Sequence, residues 1–101
     1  MNIKQFEIEL SDDAEFDFDS SYLYYFKISE MLASRFYNQI NSSFKAISIN
    51  PQGYQEVEDN VRRFVVRDFP FVIYYQIKGL KIRIIAVFHA SRNPRVWVER
   101  I

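Results

Sequence analysis

The chain has 101 residues, 49% of them hydrophobic and 18% aromatic, which is enough for one domain with one core and too little for two. It has no cysteine, which excludes disulfides and thiolate metal sites and suits a reducing compartment. Formal net charge is zero, yet residues 1–60 hold 4 Lys/Arg against 11 Asp/Glu and residues 61–101 hold 9 against 2. Balances of −7 and +7 in the two parts predict a basic surface built from the C-terminal elements, suited to a polyanion or an acidic partner. No apolar run approaches the ~20 residues of a membrane span, and the N-terminus alternates instead of forming a signal-peptide core. A soluble, cytoplasmic protein is expected.

Residues 3–10, IKQFEIEL, place Phe6, Ile8 and Leu10 on one side and Gln5, Glu7 and Glu9 on the other, the period of a half-buried strand. Ser11 follows as an N-cap, with Asp12, Asp13 and Glu15 in the first turn, where the helix dipole favours them. Ala14, Phe18, Tyr22, Tyr25 and Phe26 make one aromatic stripe on that helix, of the kind that normally packs in a core. A second helix is predicted from about Ser29 to Ile47, with Leu32, Phe36, Ile40, Phe44 and Ile47 on one face. Pro51 lacks an amide donor and biases Asn50 away from helical angles, so Asn50-Pro51-Gln52-Gly53 ends it. Two amphipathic helices with little between them read as a helical hairpin.

From Val61 the pattern turns to strands. A two-residue Gly79-Leu80 turn sets Ile77 opposite Ile82, Tyr75 opposite Ile84, Ile73 opposite Ala86 and Phe71 opposite Phe88. It also pairs Tyr74 with Ile85 and Val72 with Val87. A turn at Asp68-Phe69 sets Val66 opposite Phe71, Phe64 opposite Ile73 and Arg63 opposite Tyr74. Both hairpins divide the faces alike, a test that a one-residue slip would fail. One face is apolar and receives the helices, giving an α+β layer arrangement of an antiparallel sheet under a helical hairpin, with no domain boundary in 1–101. The other carries Arg63, Arg67, Tyr74, Gln76, Arg83 and, by continued alternation, His89.

Several segments carry a resemblance to a known family. They are Arg62-Arg63, then Phe69-Pro70-Phe71-Val72-Ile73-Tyr74-Tyr75, then Ala86-Val87-Phe88-His89, and last Arg92-Asn93-Pro94 with Trp97. In the order β-α-α-β-β-β, this set resembles the RelE/ParE superfamily of toxins from bacterial type II toxin–antitoxin modules, most densely its ParE-like plasmid stabilisation branch. The resemblance implies a microbial-ribonuclease-like fold and a growth-inhibiting toxin held inactive by a cognate antitoxin in a hetero-oligomer. Its RelE-like members cleave messenger RNA on the ribosome, and its ParE-like members poison DNA gyrase. A degenerate member that only binds its antitoxin is a further alternative.

Cleavage of RNA by its own 2′-hydroxyl needs a base, cations for the phosphorane and an acid for the leaving oxygen. His89 is the one candidate proton carrier, with Arg67 and Arg83 as candidate phosphate clamps. Arg62, Arg63, Tyr74, Gln76, Arg92 and Arg95 are the candidate target-binding set, combining cations with a ring able to stack on a base. A second proton-transfer group is missing from that face, and Glu99 would serve only if the tail folded back over the sheet. That shortage favours the gyrase reading. Trp97 is expected to anchor the tail, Ser91 to project away from His89, and Arg35 and Arg100 to carry no function. No metal or cofactor motif is readable.

Overall fold

The computed structural model describes residues 6–101, so the part of the expected first strand at residues 3–5 lies outside the described residues. The elements in chain order are β1 (Glu7–Leu10), α1 (Asp12–Ile28), α2 (Glu30–Ile49), a 3-10 turn (Pro51–Gly53), β2 (Glu56–Glu58), β3 (Val61–Val65), β4 (Phe71–Lys78), β5 (Lys81–His89) and a closing 3-10 segment (Val96–Arg100). The strands form one sheet in the order β1-β5-β4-β3-β2. The α+β layering is as expected, but the sheet is mixed: β1 runs parallel to β5, and the short β2 adds an edge.

Local chemistry accounts for the helices. The Ser11 hydroxyl accepts from the Ala14 amide at 3.1 Å, capping α1 as the sequence suggests. Ser29 serves both helices, because its amide donates to the Tyr25 carbonyl at 2.9 Å while its hydroxyl accepts from the Leu32 amide at 3.2 Å. Its extended backbone makes the corner of the hairpin. Both predicted stripes point at the sheet, where Ala14, Phe36, Ile40, Phe44 and Ile47 meet Ile73, Tyr75, Ile82 and Ile84 in the main core. Phe26, at the margin of the first stripe, is partly exposed.

The strand register holds at first and then slips. Ile77 pairs with Ile82 and Tyr75 with Ile84, around a turn in which Gly79 takes φ +62°. Arg63 pairs with Tyr74 and Phe64 with Ile73, also as expected. Beyond Tyr75, however, Tyr74 pairs with Ala86, Ile73 with Val87, Val72 with Phe88 and Phe71 with His89. Ile85 is the extra residue of a β-bulge, and one inserted residue reverses every side chain after it. Val87 and His89 therefore lie on the helix side, and Ala86 and Phe88 on the other, the opposite of the strict alternation.

The bulge has its own partners. The Val87 amide donates to Asp17 Oδ2 at 3.0 Å. The Ile85 carbonyl accepts from Arg100 Nη1 at 3.2 Å and from the Ser11 hydroxyl at 3.4 Å. Its groups are thereby satisfied although the ladder is broken.

The outer face of the sheet is not open. Val61, Val72, Tyr74, Ile85, Ala86 and Phe88 form a second, smaller core closed by Trp97, which is 2% exposed, with Val96 and Val98 beside it. Trp97 anchors the tail as expected, its ring 6.1 Å from that of Tyr74. Among the described residues no helix is long and apolar enough to cross a membrane.

Candidate functional site

The bulge decides where the candidate residues fall. His89 was expected among the arginines of the outer face and instead stands on the helix side, edge-on to Phe71 at 5.5 Å. There it borders a cavity of about 440 Å³ between α1 and the end of β4 and β5, lined also by Ser20, Ser21, Tyr24, Tyr25 and Ile28. Burial, and secondarily Tyr24, raises the pKa of the Tyr25 phenol in that wall.

Ser91 does not project away from His89. Its amide donates to His89 Nδ1 at 3.1 Å and its hydroxyl lies 2.7 Å from the same atom. The arrangement is a local turn in which the imidazole replaces a backbone acceptor, leaving the ring proton on Nε2. Among the described residues no carboxylate bonds His89, so the pair lacks the orienting third member of a nucleophilic triad. Nor does any group of three His, Asp or Glu among the described residues converge as metal ligands would.

The arginines divide into those engaged in structure and those that are free. Arg62 lies on the helix side, where Nη1 donates to the Tyr54 carbonyl at 2.7 Å and to the Gln52 carbonyl at 3.3 Å, and Nη2 faces Glu56 at 3.6 Å. It ties the loop after α2 to β3 and presents no free fork to a target. Arg95 is paired with Glu58. Arg83 lies 3.6 Å from Glu9 on the neighbouring strand, and Gln76 donates to the Asp59 carbonyl at 3.1 Å. Tyr74 is buried beneath Trp97 and offers no stacking face.

The set of candidate cations that stays accessible is narrower than the sequence suggests. Arg67 is exposed in the loop between β3 and β4, with no carboxylate partner among the described residues. Arg92 is exposed too, its guanidinium 4.5 Å from the centre of the Phe88 ring. Arg63 borders a shallow cleft of about 190 Å³ with Tyr74, Pro94, Arg95 and Trp97, and its Nε is buried without a partner. The tail does fold back over the sheet, but Glu99 is exposed and bonds none of these arginines. The arrangement can present cations to an acidic or phosphate-bearing surface. It brings no proton carrier to them.

Sequence reasoning missed one constellation entirely. Arg100 grips Asp17 through two bonds, Nη1 to Oδ2 at 2.6 Å and Nη2 to Oδ1 at 3.1 Å, and stacks 4.7 Å from the Phe88 ring centre. Asp17 is the one buried carboxylate among the described residues. Its place among the polar residues of α1 gave a hint, since Asp17 falls between Ala14 and Phe18 on the inward side.

A family model described as the ParE toxin of the type II toxin–antitoxin system parDE matches residues 8–94. No curated protein matches the chain. Among solved structures, a chain of the chromosomal ParDE toxin–antitoxin system from P. aeruginosa superposes with a TM-score of 0.76 at 20% identity, covering 88% of this chain and all of that one. That likeness speaks for the fold, and of the residues that carry the sequence resemblance Arg62-Arg63, Phe69–Tyr75, Ala86–His89 and Arg92-Asn93-Pro94 fall inside the range the family model matches, while Trp97 lies beyond it. The chain belongs to the ParE toxin family of type II toxin–antitoxin systems.

Proposed function

We propose that this toxin arrests growth by acting on DNA gyrase in the cytoplasm, and that a cognate antitoxin neutralises it in a hetero-oligomer. The observation that carries the reading is the side on which His89 stands. RNA cleavage needs a proton carrier beside the cations that hold the phosphorane, and here the arginines of the outer face have none. A gyrase poison needs only a surface that engages the enzyme. Arg67 and Arg92, exposed and free of carboxylates, are the contacts this reading assigns to the target, with Arg63 behind them.

The test uses purified gyrase, plasmid and ATP. The toxin is expected to accumulate cleaved DNA, His89→Ala to do so equally, and Arg67→Ala with Arg92→Ala to need about tenfold more protein, the effect of ~1.4 kcal/mol lost at an interface. Cuts in translated message that vanish with His89→Ala, while gyrase runs unimpaired, would establish the ribosome-dependent nuclease instead. Neither effect, with tight antitoxin binding, would mark a member that only binds its partner.

A further inference from the structure

A groove lies between the two helices, away from the sheet and from every residue discussed as a target contact. It encloses about 490 Å³ and is lined by Phe18, Asp19, Tyr22, Ser34, Tyr37 and Asn38. Phe18 and Tyr37 stack at 5.6 Å, and Tyr22 stands edge-on to Tyr37 at 6.1 Å. Asp19 is exposed and takes part in none of the ion pairs among the described residues.

Three aromatic rings beside an unpaired carboxylate select for positive charge. The ring faces carry negative potential, and a cation placed there also compensates Asp19. An anion is repelled by both, and a neutral ligand leaves the carboxylate unanswered. Between the two biological cations the groove favours a guanidinium. It is planar and weakly hydrated, so it stacks on a tyrosine more readily than an ammonium. Its fork of donors also matches the several acceptors present, the Asp19 carboxylate, the Asn38 amide oxygen and the Ser34 hydroxyl.

We propose that this groove is a receptor for an arginine side chain carried by the antitoxin. The choice of partner rests on the toxin–antitoxin reading above; the choice of chemistry does not. The surroundings fit such a partner: besides the buried Asp17, α1 carries Asp12, Asp13, Glu15 and Asp19 on its exposed side against Lys27 alone, and Tyr24, Ile28 and Met31 are largely exposed on the hairpin. A basic segment with an apolar side meets complementary charge and apolar surface together.

The full chain, freed from its antitoxin, is titrated with Nα-acetyl-arginine amide, and the ring resonances of Tyr22 and Tyr37 are followed by NMR. The lysine and citrulline analogues are titrated in parallel. The arginine probe is expected to shift both rings, the lysine probe to bind several-fold more weakly and the citrulline probe, of the same shape without charge, to leave them in place. Asp19→Asn, an exposed change that spares the fold, is expected to weaken arginine binding about tenfold. Equal shifts from arginine and citrulline, or no change with Asp19→Asn, would overturn the site. Calorimetry against the antitoxin supplies the second arm, where Asp19→Asn is expected to weaken the complex about tenfold. An undiminished complex with arginine binding intact would overturn the assignment to the antitoxin and leave the toxin reading standing. Failure of the unaltered chain to bind any antitoxin would overturn the toxin–antitoxin reading, with the arginine titration still reporting on the groove.

Discussion

The Tyr75 hydroxyl is buried between sheet and helices and donates to the Pro51 carbonyl at 2.6 Å, joining β4 to the turn that ends α2. Burial pushes its pKa up to about 12, partly offset by the Arg62 cation nearby. A phenol whose folded pKa exceeds the ordinary value of about 10 contributes stability in full below pH 10 and loses it as pH rises towards 12. Tyr75→Phe is therefore expected to cost about 1 kcal/mol at pH 7, through the lost hydrogen bond, and to flatten the alkaline fall in stability. Urea unfolding at pH 7 and at steps from pH 9.5 to 12 measures both. The inward position of Tyr75 was legible from alternation alone, but its partner was not, because Pro51 lies 24 residues away in a turn of no fixed direction. His89 teaches the reverse. As the single histidine it drew a catalytic reading, and only the strand beneath it determines which side it faces.

At the scale of elements, the bulge at Ile85 governs the outcome. The run Ile84-Ile85-Ala86-Val87-Phe88 is apolar at every position and buried throughout, so shifting it by one residue offends no hydrophobic pattern. Alternation therefore resolves the register as far as Ile84 and is blind after it. What sets the bulge is Asp17 on α1 together with Arg100 in the tail, 70 and 15 residues from the groups they bind. Arg100→Ala would leave a buried carboxylate uncompensated and is expected to cost about 3 kcal/mol, read from the urea midpoint. Deleting Ile85 would remove the bulge yet leave Ala86 and Phe88 outward and Val87 inward, because the pairs on either side of it already keep register. Unfolding followed by circular dichroism is expected to stay cooperative with a lower midpoint, since the carbonyl that Arg100 and Ser11 bind is lost. β2 was missed because it has three residues, two of them glutamates, and buries little. Asp59-Asn60, both at positive φ, is the tight-turn signal that marked it. The parallel placing of β1 beside β5 leaves no trace in a short alternating strand.

Across the whole molecule, the charge division of the sequence proves to be largely a record of pairing. Every ion pair among the described residues joins a carboxylate from residues 1–60 to a cation from residues 61–101: Glu56 with Arg62, Glu9 with Lys81 and Arg83, Glu58 with Arg95, and Asp17 with Arg100. The fold thus spends much of the predicted basic surface on itself, and the exposed cations of residues 61–101 left outside its ion pairs are Arg67, Lys78 and Arg92. The exposed pairs are worth little singly, whereas the second core is not. Trp97→Ala would uncover Tyr74 and Phe88 and is expected to cost about 3 kcal/mol or more by urea unfolding. The helical hairpin, the core face of the sheet as far as Ile84 and the family were readable from residue order, whereas Ala86 and Phe88, expected on that face, lie on the other. The covered outer face was not, because it depends on a tail whose only strong signal is one tryptophan. The most direct measurement is the gyrase cleavage assay with the purified toxin and its antitoxin. Cleaved plasmid is expected to accumulate with the unaltered chain and with His89→Ala alike, and added antitoxin to suppress it. Gyrase that works unhindered, beside ribosome-bound message cut only when His89 is present, would contradict the gyrase reading.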